Sequence, residues 1–260
     1  MLWIVCIPLA LFFALLGGLL LGRWLGGGRS AAAQESGANA AADGVVFAVL
    51  GLLIAFTFTA SASRFDDRRR LIVEQTNALG TLNLRLDVLE PQDRRAIREQ
   101  LAAWLDLALT TKRFSGDPGR FHAAIAEANR LQDQAWRLAV SAVERKQQPA
   151  LSAFVLGPLN EWIDLTTTRL AMEQLGLPPM VLLTLAALSL VGSVLAGLSM
   201  QRRGGRAALH MLAFAGAIAF PIYVILDLNQ PRAGLITVDA MDETMRQLRW
   251  TIAPPVTDSP

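Results

Sequence analysis

Cysteine is almost absent from this chain, with Cys6 the only one in 260 residues. One thiol closes no intrachain disulfide and supplies no cysteine-based metal site. Histidine is nearly as scarce. His122 and His210 lie far apart without ligand spacing, so neither reads as a metal ligand or a proton shuttle. Charge is sparse too, at 18% of residues against 53% hydrophobic, and the formal net charge is only +2. That balance gives no basis for nucleic-acid binding. The chain also lacks a G-x-S-x-G elbow, a P-loop, an H-E-x-x-H pair and the alternating acidic loop of an EF-hand. Its acidic residues, among them Asp66, Asp67, Glu74, Asp87, Asp93 and Glu173, are interleaved with arginines and read as solvated helix faces or intrahelical pairs. An enzyme is therefore not expected, nor any cofactor or metal.

Long apolar runs are what the chain does have, and they raise the mean hydropathy to +0.37. A value this high points to several membrane spans. Residues 1–22 form the first, long enough to cross a bilayer. A cleaved signal peptide is the rival reading, but the start has no Lys or Arg and the run exceeds a usual signal core. Residues 23–43 are rich in Gly, Ala and Ser and read as a flexible linker. The second span covers 44–63, the third 178–200 and the fourth 207–227. No span carries an ionisable residue at mid-membrane, which argues against a proton-coupled transporter.

Between the second and third spans lies a soluble insertion at 64–175. Its apolar residues recur at helical spacing. Phe65, Ile72, Leu79, Leu82, Leu86 and Leu89 form one stripe, with Pro91 as a stop and restart. Ile97, Leu101, Trp104, Leu105 and Ala108 form the next. Phe121, Ile125, Ala128, Leu131, Ala135 and Leu138 line a third helix. Leu159, Trp162, Ile163, Thr166 and Leu170 line a fourth, after a break or kink expected at Gly157-Pro158. Such stripes make the core of a helical bundle. A tail at 228–260 holds one short amphipathic helix from Asp239 to Trp250 and a frayed polar end. The fold class expected is all-α: a polytopic membrane protein with two pairs of spans flanking a soluble helical insertion.

The second span organises the rest, because it passes into the soluble insertion with no Gly or Pro break. Gly44, Ala48, Gly51, Ala55, Thr59 and Ser63 recur at three- or four-residue intervals and place one small-residue face along the helix. Small faces let membrane helices approach closely, so the face is either a packing seam or a border with water. The hydroxyls of Thr57, Thr59, Ser61 and Ser63 carry it toward the charged collar of Arg64, Asp66, Asp67, Arg68, Arg69 and Arg70. They are also placed to bond back to carbonyls one turn earlier. A third polar group, Asn160, Asp164 and Thr168, occupies one helix face before the third span and reads as a polar network.

Four spans put both termini and the insertion on one side. The dense short turn with Arg202, Arg203 and Arg206 favours the opposite side as cytoplasmic by the positive-inside rule.

Several stretches resemble the bestrophin-like family of bacterial membrane proteins: AFTFTASASRFDDRRRLIVEQTNALG at 55–80, LRLD at 84–87, LNEWIDLTTTR at 159–169, LHML at 209–212 and YVILDLNQPRAGLI at 223–236. The resemblance implies an oligomeric ion channel, typically a pentamer, in a lipid bilayer, with the second span lining the pore and a cytosolic helical region between spans two and three. It sets the insertion and termini in the cytoplasm of a bacterial inner membrane, against the short-loop charge signal. Gly51, Ala55, Thr57, Thr59 and Ser63 are then the expected pore lining, and Arg64, Asp67 and Arg68 the charge at its mouth. Nothing matches the acidic calcium clasp of animal bestrophins. Small inorganic ions are the expected cargo, of unspecified sign because Asp66 and Asp67 offset the arginines. The competing reading is a non-conducting scaffold or sensor whose helical domain binds a partner.

Overall fold

The computed structural model describes residues 2–26, 37–110, 117–174, 176–200, 206–230, 235 and 239–253. All regular structure among them is helical: α1 (Leu2–Gly26), α2 (Gly37–Arg85), a 3-10 turn (Leu86–Val88), α3 (Pro91–Thr110), α4 (Pro118–Lys146), α5 (Pro149–Gln174), α6 (Pro179–Ser199), α7 (Arg206–Leu228) and α8 (Asp239–Ile252). Four of them, α1, α2, α6 and α7, are long and apolar enough to cross a membrane. The expected linker is shorter than 23–43, because α1 runs on to Gly26 and α2 already begins at Gly37. Residues 27–36 of that linker lie outside the described residues, as do residues 111–116 and the tail beyond Ala253.

The chain divides into two units, Met1–Phe65 with Gly176–Ile236, and Asp66–Leu175 with Thr237–Pro260. In the first, α1 packs against α6 and α7. The core joins Leu15 of α1, Leu50 of α2, Leu185 of α6, and Ala215, Ile218, Ala219, Ile222 and Leu226 of α7. Without a hydrophobic driving force between spans, close approach has to come from small side chains. The small residues of α6 supply it: Ser189, Ser193 and Gly197 are all buried. Gly18, Gly22 and Gly26 face it from α1, so close that a Cβ on Gly22 would stand 2.1 Å from the Val194 carbonyl oxygen.

In the second unit every residue of the first expected stripe is buried, from Phe65 at its boundary through Leu89. Ile97, Leu101, Trp104 and Leu105 join them from α3, Ala124, Leu131, Ala135, Ala139, Ala142 and Val143 from α4, and Val155, Leu159 and Trp162 from α5. Trp104 and Trp162 meet edge to face with ring centroids 5.1 Å apart, an arrangement worth about 1 kcal/mol beyond their burial. On α4 the inner face is set more by alanines than by Phe121, Ile125 and Leu138, which are only half-buried.

Of the break or kink expected at Gly157-Pro158, the break does not occur, because α5 runs through Pro158 from Pro149 to Gln174. A mid-helix proline leaves the carbonyl four residues earlier without its donor. That carbonyl belongs to Phe154, and Arg85 Nη1 donates to it at 3.1 Å while the guanidinium lies 4.7 Å from the Phe154 ring centroid. At the C-terminus the amphipathic helix is docked. α8 packs on α3, buries Met245 and Ile252, and is held by a two-pronged pair from Arg249 Nε and Nη2 to the Asp106 carboxylate, each at 2.9 Å.

Candidate functional site

The site is built on α2. Within the first unit this helix turns Leu50 into the core, with Leu53 and Ile54 packed against it, and Phe47 meets Phe214 edge to face at 6.0 Å. Thr57 and Ser61 continue that inner side, at 5% and 0% exposure. The other side of α2 is uncovered. Gly44, Ala48, Gly51, Ala55, Thr59 and Ser63 are all exposed, and a Cβ on Gly44 or Gly51 would meet nothing within 4 Å. Phe56 and Phe58 flank the row, also exposed.

The helical period separates the two sets. Residues two apart are rotated by roughly 200°, so Thr57 cannot share a face with Ala55 and Thr59. Thr57 is thus withdrawn from the expected lining. Its hydroxyl donates to the Leu53 carbonyl at 2.7 Å on the inner side. Thr59 donates to the Ala55 carbonyl at 2.9 Å, which leaves its oxygen as an acceptor on the uncovered side.

The Bestrophin-like domain family matches this sequence over residues 8–241. The chain belongs to the bestrophin-like family. A crystal structure of a bacterial bestrophin homologue from Klebsiella pneumoniae is similar, with a TM-score of 0.70 and 15% identity, covering 92% of this chain and 97% of that one. A single-site variant of that homologue has a TM-score of 0.73 at 14% identity, over 96% of this chain and 97% of the other. A membrane protein crystallised as another single-site variant has a TM-score of 0.70 at 15% identity, over 92% and 97%. At such identities the likeness is one of fold. No curated protein matches the sequence.

The charged collar of this bestrophin-like chain is sorted by burial. Arg64 is half-buried, and its Nη1 has no hydrogen-bond partner. Arg68 is 5% exposed and turns its Nη2 toward the Met172 carbonyl at 3.5 Å. Asp67 keeps its side chain partly exposed, and Arg70 stands 3.8 Å from it while also reaching Glu74 at 3.5 Å. Asp66 and Arg69 pair at 3.6 Å. Such exposed pairs one turn apart contribute a few tenths of a kcal/mol each. The burial of Arg68 removes one positive charge from the collar's water-facing side.

Asn160 and Asp164 do meet, with Nδ2 donating to Oδ2 at 2.8 Å, but on an exposed surface. Thr168 is exposed as well, so within one chain this trio lies on the surface. The buried network lies elsewhere. Gln75 and Gln132 both donate to Thr166 Oγ1, at 2.6 and 2.9 Å. Thr166 donates to the Trp162 carbonyl at 2.8 Å, and Arg169 Nη1 donates to Gln75 Oε1 at 2.6 Å. This cluster ties α2, α4 and α5 together. Its signal in the sequence is polarity at a core register: Gln75 stands between Ile72 and Leu79, and Thr166 lies in the Leu159–Leu170 stripe. Among the described residues no group of three or more His, Cys, Asp or Glu could hold a metal ion.

Proposed function

We propose that this bestrophin-like membrane protein is a passive ion channel. Several copies enclose a pore with the uncovered face of α2, and a pentamer follows by family analogy. The observation that carries the proposal is that face. Gly51, Ala55, Thr59 and Ser63 are exposed along a helix whose opposite side is packed. A pore wall needs a wettable lining and charge near the mouth to concentrate ions. Thr59 and Ser63 offer the first, and Asp67 with its neighbouring arginine pairs offers the second. Thr57 is left out of the lining, and Arg64 and Arg68 contribute less to the mouth than their sequence positions imply. The helical insertion and both termini face the cytoplasm, with the chain in a bacterial inner membrane.

Planar-bilayer recording of purified, reconstituted protein tests this reading. Discrete currents carried by small inorganic ions are expected. Absence of current, in a preparation where a known channel conducts, would refute it. A scaffold or sensor with a dry α2 seam would then take its place.

A further inference from the structure

Among the described residues of the first unit, three polar side-chain atoms are buried without a hydrogen-bond partner: Ser61 Oγ, Arg64 Nη1 and Asn229 Oδ1. Leaving such groups dry costs roughly 1–3 kcal/mol each, so each calls for an explanation. The helical period directs Ser61 and Asn229 toward one seam. α2 and α7 are the second and fourth spans, so they cross in the same direction, and they touch at Phe47 and Phe214. Fourteen residues on from those two rings stand Ser61 and Leu228, each about 21 Å further along at 1.5 Å per residue. Ser61 returns to within about 40° of the Phe47 direction, and Asn229 to within about 60° of the Phe214 direction. Arg64 follows Ser61 by one turn.

We propose that internal water bridges Ser61, Arg64 and Asn229 in the α2–α7 seam. The mixture of groups selects the ligand. Arg64 Nη1 can only donate, and Asn229 Oδ1 can only accept. The orientation of the Asn229 amide is fixed because its Nδ2 donates to the Ile225 carbonyl at 3.2 Å. An anion satisfies Arg64 but meets lone pairs at Asn229. Water accepts from Arg64, donates to Asn229 and does either with Ser61, which gives it the two to four partners a buried water needs. Arg64 makes no ion pair among the described residues, so the same water solvates its charge on the inner side of α2. The inference stands whether or not the chain conducts.

Thermal unfolding of the full-length protein in one fixed detergent tests it. If water links the groups, Ser61→Ala and Asn229→Leu each lower the melting temperature by about 2–4 °C. The double variant then falls short of their sum, because each single change has already broken the bridge. If the hydroxyl is dry, Ser61→Ala relieves an unsatisfied group, and an unchanged or raised melting temperature overturns the proposal. Additive single effects overturn it too. Replacing chloride by gluconate at constant ionic strength is expected to leave the melting temperature unchanged. A chloride-dependent rise that disappears in Arg64→Met would assign the site to an anion and refute the water.

Discussion

The α1–α6 seam makes a sharp prediction, because its contacts are backbone against backbone. Gly197→Ala places a methyl 2.3 Å from the Leu19 carbonyl oxygen and 3.0 Å from Leu19 Cα. Neither atom can rotate away, so the helices have to separate by about 1 Å. That gap forfeits a quarter to a half of each dispersion contact along the seam, and overpacking of this kind costs about 1–3 kcal/mol. Removing a helical glycine returns up to about 1 kcal/mol. The net expectation is a destabilisation of about 1–2 kcal/mol, or a melting temperature lower by about 2–8 °C for a chain of this size. Gly22→Ala, whose methyl would lie 2.1 Å from the Val194 carbonyl oxygen, is expected to match it.

Two neighbours on α1 calibrate the experiment. A methyl on Gly17 would meet nothing within 4 Å, so Gly17→Ala is expected to leave melting unchanged or slightly raised. Gly18→Ala meets the Ser193 hydroxyl at 2.0 Å and its Cβ at 3.2 Å. The hydroxyl can rotate, so an intermediate loss is expected. The assay is heat-challenged size-exclusion chromatography of each variant in the same detergent. Equal melting of Gly197→Ala, Gly22→Ala and Gly17→Ala would refute the close-contact reasoning.

Four further outcomes are expected. In single-channel recording Thr59→Val lowers conductance several-fold while Thr57→Val leaves it unchanged; equal effects would remove the facial distinction. Thr166→Val strands the Gln75 and Gln132 amide donors and lowers stability by roughly 2–5 kcal/mol in denaturant or thermal titration, whereas Thr166→Ser keeps most of it. Arg249→Gln removes both prongs to Asp106 and speeds hydrogen exchange across 239–252 by about two- to fivefold, the scale of a part-exposed ion pair. The Glu127 carboxyl is held below the usual glutamate range chiefly by its hydrogen bond from Arg130. Its small contribution to stability is therefore present above the ordinary glutamate pKa and lost as pH falls through the depressed one, and carbon NMR of Arg130→Gln is expected to show the titration moving back up.

What could be read from the sequence was whatever a helical period carries. The apolar stripe from Phe65 to Leu89 and the small faces of α2 and α6 depend only on spacing, and all appear as buried or uncovered sides of single helices. What escaped depends on partners distant in the chain. The continuity of α5 through Pro158 requires Arg85, 69 residues away from Phe154, to satisfy one carbonyl. The docking of α8 requires Asp106, 143 residues from Arg249. Asn160 and Asp164 attracted notice as polar neighbours one turn apart, but a pair that close on one helix is as readily a surface pair. Thr57 was misplaced for a different reason. The period already pairs Thr57 with Ser61 and Thr59 with Ser63 on separate faces, but only packing tells that the Thr57–Ser61 face is the inner one.

That split bears on what covers the outer side of α2. The other spans expose bulky side chains suited to lipid: Leu9, Phe13, Leu20 and Leu21 on α1, Leu183 and Leu190 on α6, Leu209, Leu212 and Phe220 on α7. α2 also exposes Leu52 and Phe56, but beside them runs the row Gly44, Ala48, Gly51, Ala55, Thr59 and Ser63. Acyl chains gain little from a row of glycines and hydroxyls, since the row offers few atoms for dispersion contact. Two other environments suit it: a neighbouring helix at close range or a column of water. A helix seam also accepts hydroxyls, as Ser189 and Ser193 of α6 do, but Thr59 turns an acceptor oxygen outward with no partner helix among the described residues of this chain to meet it. Water has a use for that oxygen and for the hydroxyl of Ser63 beyond it. The row is apolar and small through Ala55 and becomes hydroxylic from Thr59 onward, so the end of the helix nearer the charged collar is the better candidate for a wetted wall, and Gly44 through Ala55 for the stretch where copies of the helix approach one another most closely.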